Sequence, residues 1–192
     1  MIKIILDPGH GDPDPGARGR MSNEADINLD VAVELSKILS SMGIVAPLTR
    51  SGPKRIHRDN RNVDLTSRPG MANRLKADAF VSIHCNGAVS PEANGFEIYT
   101  TPGQNRSDTL ATAIFESWQK AFPSQRKRTD YRDNDPDKEA NLKVLREAHC
   151  PAVLIELGFI TNPTEERFLI DRHNQHVMAL AIAAGIDIFL RG

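Results

Sequence analysis

The stretch Ile-Leu-Asp-Pro-Gly-His-Gly, residues 5–11, is a short apolar strand that ends in a tight turn carrying His10. Two other segments have the same construction. Residues 79–86 read Ala-Phe-Val-Ser-Ile-His-Cys-Asn, and residues 151–158 read Pro-Ala-Val-Leu-Ile-Glu-Leu-Gly. In each segment an apolar run of strand length is followed or interrupted, near its C-terminal end, by one titratable side chain.

These runs deliver three side chains of chemical interest, His10, His84 and Glu156. The carboxyl ends of strands in an open α/β sheet are where ligand sites assemble. We therefore predict that the three side chains belong to one site. Glu156 supports this interpretation most directly, because burying a carboxylate in an apolar strand carries a large desolvation cost and needs a compensating purpose.

Apolar periodicity predicts that strands and helices alternate along the chain. Helical spacing runs from Ile27 to Met42, and Gly43 is the C-terminal stop. Further strands are predicted at 44–48, 79–84, 96–100 and 153–157, and further helices at 64–75, 107–122, from 162 onward and from about 173 to 190. The polar stretch 125–140 is predicted to be a surface loop. This βαβα order implies an α/β protein with a largely parallel sheet and one continuous domain over residues 1–192.

Composition and charge exclude several classes of partner. The chain has 192 residues, of which 40% are hydrophobic and 26% charged, as expected for one globular domain. The formal net charge of -1 gives no overall field for nucleic acid or anionic lipid. The basic stretches 54–61 and 126–132 are interleaved with Asp or Asn and lack an aromatic stacking array. We expect no nucleic-acid partner, and no obligate protein partner is evident.

Membrane and secretion signals are absent from the printed sequence. No apolar stretch approaches the roughly 18 to 20 residues of a membrane span, and the chain starts directly with a strand rather than a signal peptide. We therefore expect a protein that is made in the cytoplasm.

The two cysteines, Cys85 and Cys150, are too few for a disulfide framework and are not in a Cys-x-x-Cys pair. Both are expected to be reduced, buried thiols.

Two histidines and one carboxylate around an open position are the ligand set of a hydrolytic zinc site, because catalytic zinc keeps three protein ligands and leaves the fourth place to water. Glu24 is the best candidate for the third ligand, since the Gly- and Pro-rich loop 11–23 lets the next helix approach His10. A glutamate in a first helical turn is favoured by the helix dipole in any protein, so a purely structural role stays open for Glu24. Glu156 then remains free as the general acid/base of an amide hydrolysis.

Other polar residues lie close to these in the sequence. Asp7 and Asn86 flank the two histidines and are candidates for orienting them. Arg50 ends the predicted second strand, and Arg68 lies in the helix that leads to the third. Both arginines are expected to form a structural network with the loops at the strand ends.

Four ordered motifs resemble the zinc-dependent N-acetylmuramoyl-L-alanine amidases of the Amidase_3 type. They occupy residues 7–11, 24–29, 82–86 and 156–162. The resemblance spans essentially the whole chain and implies a twisted mixed sheet with helices on both faces. It also implies one Zn²⁺ per chain held by His10, Glu24 and His84, with Glu156 catalytic. The substrate it implies is peptidoglycan, at the amide that joins the lactyl group of N-acetylmuramic acid to L-alanine.

The chain departs from the family pattern in three places. Asp12 stands where a second Gly usually follows the first histidine, and Ala25 replaces a frequent Lys. Neither change removes a catalytic group. The stretch 124–140 is long and charged compared with the short Arg-Gly segment often found there, which predicts a differently shaped substrate groove. Without a regulatory helix, wall-binding repeat or signal sequence, the chain resembles a phage or prophage endolysin, or the catalytic part of a larger lysin.

Two other functions are compatible with the same residues. A zinc carboxypeptidase-like peptide hydrolase shares the α/β scaffold and a two-histidine, one-glutamate site. Its products differ, because a carboxypeptidase releases C-terminal amino acids whereas an amidase liberates stem peptides with a free L-alanine amine. The alternative outside the enzymes is a non-catalytic cell-wall-binding module. The presence of every proposed catalytic group argues against that module.

Overall fold

A five-stranded sheet forms the centre of the computed structural model, which describes residues 1–192. The strands are β1 (Ile4–Pro8), β2 (Ala79–Asn86), β3 (Glu97–Thr100), β4 (Lys138–Glu139) and β5 (Ala152–Phe159). The helices are α1 (Glu24–Ser41), α2 (Arg61–Leu75), α3 (Arg106–Ala121), α4 (Lys143–Arg146), α5 (Pro163–Ile170) and α6 (Arg172–Arg191). Apart from the segment 44–48, each predicted helix or strand is present within three residues of its predicted ends, while α4 and β4 were not predicted.

The strand order is β1-β2-β5-β3-β4. Strands β1, β2 and β5 are mutually parallel, β3 runs antiparallel to β5, and β4 is parallel to β3. The three parallel strands are almost continuously apolar because both faces of the sheet are covered there. The prediction of a mixed, largely parallel sheet in an α/β domain is confirmed.

Helices cover both faces of the sheet. On one face α1, α3 and α6 enclose the larger core, which contains the fully buried Trp118. On the other face α2 and α4 cover a smaller cluster that includes Phe80 and Leu145. Alternation along β1 places Leu6 in the larger core and Ile5 in the smaller one.

The helices are too short or too polar to span a membrane, and the cysteines are not paired. None of the helices combines the length with the hydrophobicity that crossing a bilayer requires. Cys85 and Cys150 are both free thiols. Cys85 is buried in the larger core, as predicted, whereas Cys150 is only half-buried.

The segment 44–48 lies beside β1 but is not a complete strand. It runs parallel to β1 and forms two isolated bridges, at Val45 and Leu48. Pro47 lies between the bridges and has no N–H to donate into the ladder, although Val45 and Thr49 donate on either side of it. The predicted strand is therefore interrupted by its own proline, and it covers the edge of β1 without extending the sheet.

The stretch 125–140 is not the free surface loop that the sequence predicts. Lys138–Glu139 form β4 beside β3, and Lys127 forms a bridge with Phe96. Asp137 is only 1% exposed. A two-residue strand has no measurable apolar period, so patterning does not reveal it, and the charged residues here are held by groups distant in sequence.

Candidate metal centre

His10 lies on a strained turn that follows β1. Its backbone φ of 61° is in the left-handed region, which is uncommon for residues other than glycine. Arg68 donates to the carbonyl oxygens of Pro8 and His10, and Arg50 donates to those of Pro8 and Gly9. Both arginines are buried. The predicted network of arginines with the strand-end loops is confirmed, and it fixes the turn from which the His10 side chain projects.

His10, Glu24 and His84 converge at the C-terminal ends of β1 and β2. Glu24 is the first residue of α1 and is 4% exposed. Its Oε1 lies 3.2 Å from Nε2 of His10 and 2.8 Å from Nδ1 of His84. The potential ligand atoms of the three residues all lie within 4.8 Å of one another. The structure therefore brings together the three residues that the sequence nominates as ligands.

Two glycines make room for this convergence. A Cβ on Gly9 would overlap the imidazole of His84, and a Cβ on Gly16 would overlap the carboxylate of Glu24. Gly16 also has a φ of 68°, a conformation that glycine adopts without steric cost. The loop can pack closely against the cluster because Gly9 and Gly16 have no side chains.

Hydrogen bonds set the orientation and charge of the cluster. Nδ1 of His10 bonds to Oδ2 of Asp14 at 3.0 Å, which leaves Nε2 facing Glu24. Burial would raise the pKa of Glu24, but hydrogen bonds with His10 and His84 outweigh burial and lower it. Burial would lower the pKa of His10, but the contacts of His10 with Glu24 and Asp14 outweigh burial and raise it. Glu24 is thus a carboxylate at neutral pH, the form that binds metals.

The donor set fits a zinc ion. Imidazole nitrogens and a carboxylate oxygen are ligands that zinc accepts, and three protein ligands leave one position for water or substrate. Asp14 supplies the outer carboxylate that commonly fixes the ring orientation of a metal-binding histidine. Oε1 of Glu24 contacts both imidazoles, and a cation bound there would take the place of the protons that these atoms share.

Glu156 lies beside the cluster on β5. In the sheet register it is level with His84 on β2 and with Glu97 on β3, so the three side chains form one row across the sheet. Oε2 of Glu156 is buried and has no hydrogen-bond partner. Burial, followed by the charges of Glu24 and Glu97, raises the pKa of Glu156 well above its ordinary value. A carboxyl in this state is suited to accepting and releasing a proton.

Glu97 is part of this row, and sequence reasoning assigned it no role. The side chain is 3% exposed. It accepts hydrogen bonds from Asn86, Tyr99, Arg128 and Lys138. Burial would raise its pKa, but the hydrogen bonds from Tyr99, Lys138 and Arg128 lower it, so Glu97 is ionised. The signal available in the sequence was a carboxylate inside an apolar strand, the same signal that identified Glu156.

The structure corrects the predicted roles of Asp7 and Asn86. Neither side chain hydrogen-bonds to a histidine. Asp7 is fully buried and accepts hydrogen bonds from Thr49, Arg68 and Ser82. Asn86 donates to Glu97. The residue that orients His10 is Asp14, four residues further along the loop.

Fold and site together define a class: an α/β protein whose largely parallel sheet carries a two-histidine, one-glutamate cluster at the C-terminal ends of its strands. The sequence model of the N-acetylmuramoyl-L-alanine amidase family, Amidase_3, matches residues 4–187. The chain belongs to this family, and the resemblance noted in the motifs is confirmed.

Individual relatives agree with this assignment. The probable cell wall amidase LytH of Staphylococcus epidermidis is 35% identical over 186 residues, which cover 95% of this chain and 56% of that protein. The chain therefore spans about half the length of the curated relatives it matches.

Solved structures extend the similarity to the whole fold. The CwlD amidase of Clostridioides difficile, in complex with the GerS lipoprotein, is similar with a TM-score of 0.89 at 28% identity over 100% of this chain and 99% of that one. The catalytic domain of CwlV, an N-acetylmuramoyl-L-alanine amidase from Bacillus (Paenibacillus) polymyxa, gives a TM-score of 0.84 at 32% identity over 100% of this chain and 99% of that one.

Proposed function

We propose that the chain is a zinc-dependent N-acetylmuramoyl-L-alanine amidase, which hydrolyses the amide between N-acetylmuramic acid and L-alanine in peptidoglycan. The observation that carries the proposal is the position of Glu156. Oε2 of its carboxyl is buried without a hydrogen-bond partner, and the residue is level with His84 of the His10–Glu24–His84 cluster. Membership of the amidase family supports the choice of substrate.

His10, Glu24 and His84 would hold one zinc ion per chain. When bound, zinc acts as a Lewis acid that polarises a carbonyl and makes water at the site a better nucleophile. Asp14 keeps Nδ1 of His10 engaged, so that Nε2 faces Glu24. The hydrogen bonds from Arg68 keep the turn of His10 in place, so the ligands are arranged by the protein itself.

Glu156 would move the proton during hydrolysis. As a base it accepts a proton from the attacking water, and as an acid it delivers a proton to the departing nitrogen of L-alanine, which leaves as a neutral amine. Oε2 of Glu156 is free for this task because no other group of the chain bonds to it. Burial, followed by the charges of Glu24 and Glu97, raises the pKa of Glu156, so its carboxylate is a stronger base toward the attacking water and then carries the proton to the nitrogen.

Mass spectrometry of digested peptidoglycan tests the activity. The expected products are stem peptides with a free L-alanine amine and glycan strands with free lactyl carboxyl groups. Release of single C-terminal amino acids would identify a zinc carboxypeptidase-like hydrolase instead. Binding to the wall without any product would identify a non-catalytic module.

Metal analysis tests the cofactor separately. The purified chain is expected to carry close to one zinc, a strong chelator should abolish hydrolysis, and added zinc should restore it. Replacing His10 or His84 by Ala should sharply lower the bound zinc. Full zinc content in both variants would contradict the ligand assignment.

The role of the enzyme in a cell is a further proposal. We propose that it degrades the cell wall in the manner of a lysin, a role that rests on the family resemblance. Purified protein should then clear a suspension of isolated walls. Cleavage of short muropeptides without clearing would indicate a remodelling amidase. The cytoplasmic origin and the lack of an obligate protein partner stay predictions.

A further inference from the structure

A second cluster of carboxylates lies at the opposite edge of the sheet. It consists of Asp108 in the first turn of α3 and of Asp135 and Asp137, which precede β4. Their potential ligand atoms lie within 4.8 Å of one another. Because β1 and β4 are the two ends of the strand order, this cluster is separate from the one formed by His10, Glu24 and His84.

Two oxygens of the cluster accept no hydrogen bond from an N–H group or a hydroxyl of the chain. Asp137 is 1% exposed, and its Oδ2 accepts a hydrogen bond of 2.6 Å from Oγ1 of Thr100. Its Oδ1, however, is buried without a partner, as is Oδ1 of Asp135. Buried carboxylate oxygens without a partner carry a desolvation cost that a bound cation would remove.

No basic side chain neutralises the cluster. Lys138, which directly follows Asp137, pairs with Glu97, as does Arg128. None of the ion pairs of the chain includes Asp108, Asp135 or Asp137. Close carboxylates without a counter-charge repel one another, and a divalent cation between them reverses that repulsion.

The sequence of the segment suits a cation that prefers oxygen. Residues 133–139 read Asp-Asn-Asp-Pro-Asp-Lys-Glu, so carboxylates recur at alternate positions, as do the first ligands of an EF-hand loop. Nε2 of Gln104 donates to both Asp133 and Asp135, which places Asp133 close to the cluster as well. The ligand atoms are all oxygens, with no imidazole or thiolate, and this favours a hard ion.

We propose that Asp108, Asp135 and Asp137 form a calcium-binding site. Ca²⁺ accepts roughly six to eight oxygen ligands in a flexible geometry, so carboxylates from two separate segments together with water suit it. Mg²⁺ suits the cluster less well, because it demands near-ideal octahedral geometry and gives up its water reluctantly.

Calcium at this position would tie the start of α3 to the segment that leads into β4. Asp137 directly precedes Lys138, and Lys138 pairs with Glu97 in the row that contains Glu156. The cation would therefore help to hold Lys138, one of the charged partners of Glu97, in place. It takes no part in the hydrolysis itself.

Calorimetric titration of the full chain, as purified, with Ca²⁺ tests the site. Wild type should bind one Ca²⁺ per chain, and Asp137→Asn should bind it about tenfold more weakly or not at all, because one ligand charge is lost. Asp130→Asn is the matched control, since Asp130 lies in the same segment but pairs with Arg132 at the surface. This control and His84→Ala, in the separate His10–Glu24–His84 cluster, should bind Ca²⁺ as wild type does.

Thermal unfolding gives an independent measurement. Ca²⁺ that binds the folded chain should raise the Tm of wild type and of Asp130→Asn, but not that of Asp137→Asn. Asp108→Asn should lose the rise as well, so a folding defect in one variant does not decide the result. Three outcomes would overturn the proposal: no Ca²⁺ binding by folded wild type at millimolar concentration, equal binding by wild type and both ligand variants, or an equal rise in Tm with Mg²⁺.

Discussion

Glu156 and Glu97 are level with each other on neighbouring strands, yet their surroundings are opposite. Glu97 accepts hydrogen bonds from Arg128 and Lys138, and its pKa is lowered. Oε2 of Glu156 has no partner, and burial raises its pKa. Both are carboxylates within apolar strands, so strand context does not separate them. Their hydrogen-bond partners separate them. Glu97 is a fixed negative charge, whereas Glu156 is a group that can exchange a proton.

The largest expected effect follows from replacing the unpartnered carboxyl. Glu156→Gln keeps the shape but cannot take up a proton, so hydrolysis of peptidoglycan should fall by about 100-fold to 10,000-fold. Zinc content and peptidoglycan binding should stay near wild type. Product analysis and metal analysis measure the two properties separately.

Glu116→Gln is the control for that variant, because Glu116 is exposed on α3 and should tolerate the change. A Glu156→Gln variant that lost zinc together with activity would mean that Glu156 is a ligand. The contrast between the two carboxylates would then have a different cause.

The role of His10, like those of Glu97 and Glu156, depends on its hydrogen-bond partner, which is Asp14. Asp14→Asn removes the charge that holds Nδ1 of His10, so zinc affinity should weaken by about 10-fold to 100-fold. Competition with a chelating indicator measures this. Asp12→Asn is the matched control in the same loop, since Asp12 pairs with Arg58 at the surface. Equal zinc affinity in both variants would remove Asp14 from the metal centre.

Only one of the two carboxylates should contribute to stability. Glu97→Gln leaves Arg128 and Lys138 without a counter-charge, so the free energy of unfolding should fall by about 1–3 kcal/mol. Glu156→Gln removes a carboxyl whose buried Oε2 lacks a partner, so the same free energy should be unchanged or higher. Urea unfolding of the metal-free proteins provides both values. Equal losses in the two variants would show that their surroundings do not differ as described.

The smallest expected effect is on the stability of the fold at acidic pH. The pKa of Glu97 in the fold is below its ordinary value of 4.5, so its charge contributes stability that is present above that pH and is lost as the pH falls through the lower folded value. Between about pH 5 and pH 3, wild type should therefore lose stability more steeply than Glu97→Gln. Unfolding curves across this range measure the slopes. The pKa of Asp7 is also lowered in the fold, but Asp7 is present in both proteins, so its titration does not change the difference between their slopes. Identical slopes would contradict the lowered pKa of Glu97.

Local patterning was sufficient for much of the site. An apolar run followed by a polar residue identifies the strand ends that carry His10 and His84, and an acidic residue inside such a run identifies Glu156. The glycine- and proline-rich loop made Glu24 a reasonable third member. These signals lie within a few residues of each side chain, so the sequence by itself determined β1, β2, β3 and β5, their order along the chain and the four residues nominated for chemistry.

Tertiary structure decided which groups these side chains meet. Glu97 receives its partners Arg128 and Lys138 from 31 and 41 residues away, and Glu166 anchors the backbone of Arg20 and Met21 from 146 and 145 residues away. The partner of a buried charge is set by distances of a few ångströms between atoms of the folded chain. Apolar periodicity records which face of a helix or strand is buried and carries no information about those distances, so the difference between Glu97 and Glu156 arises only in the fold.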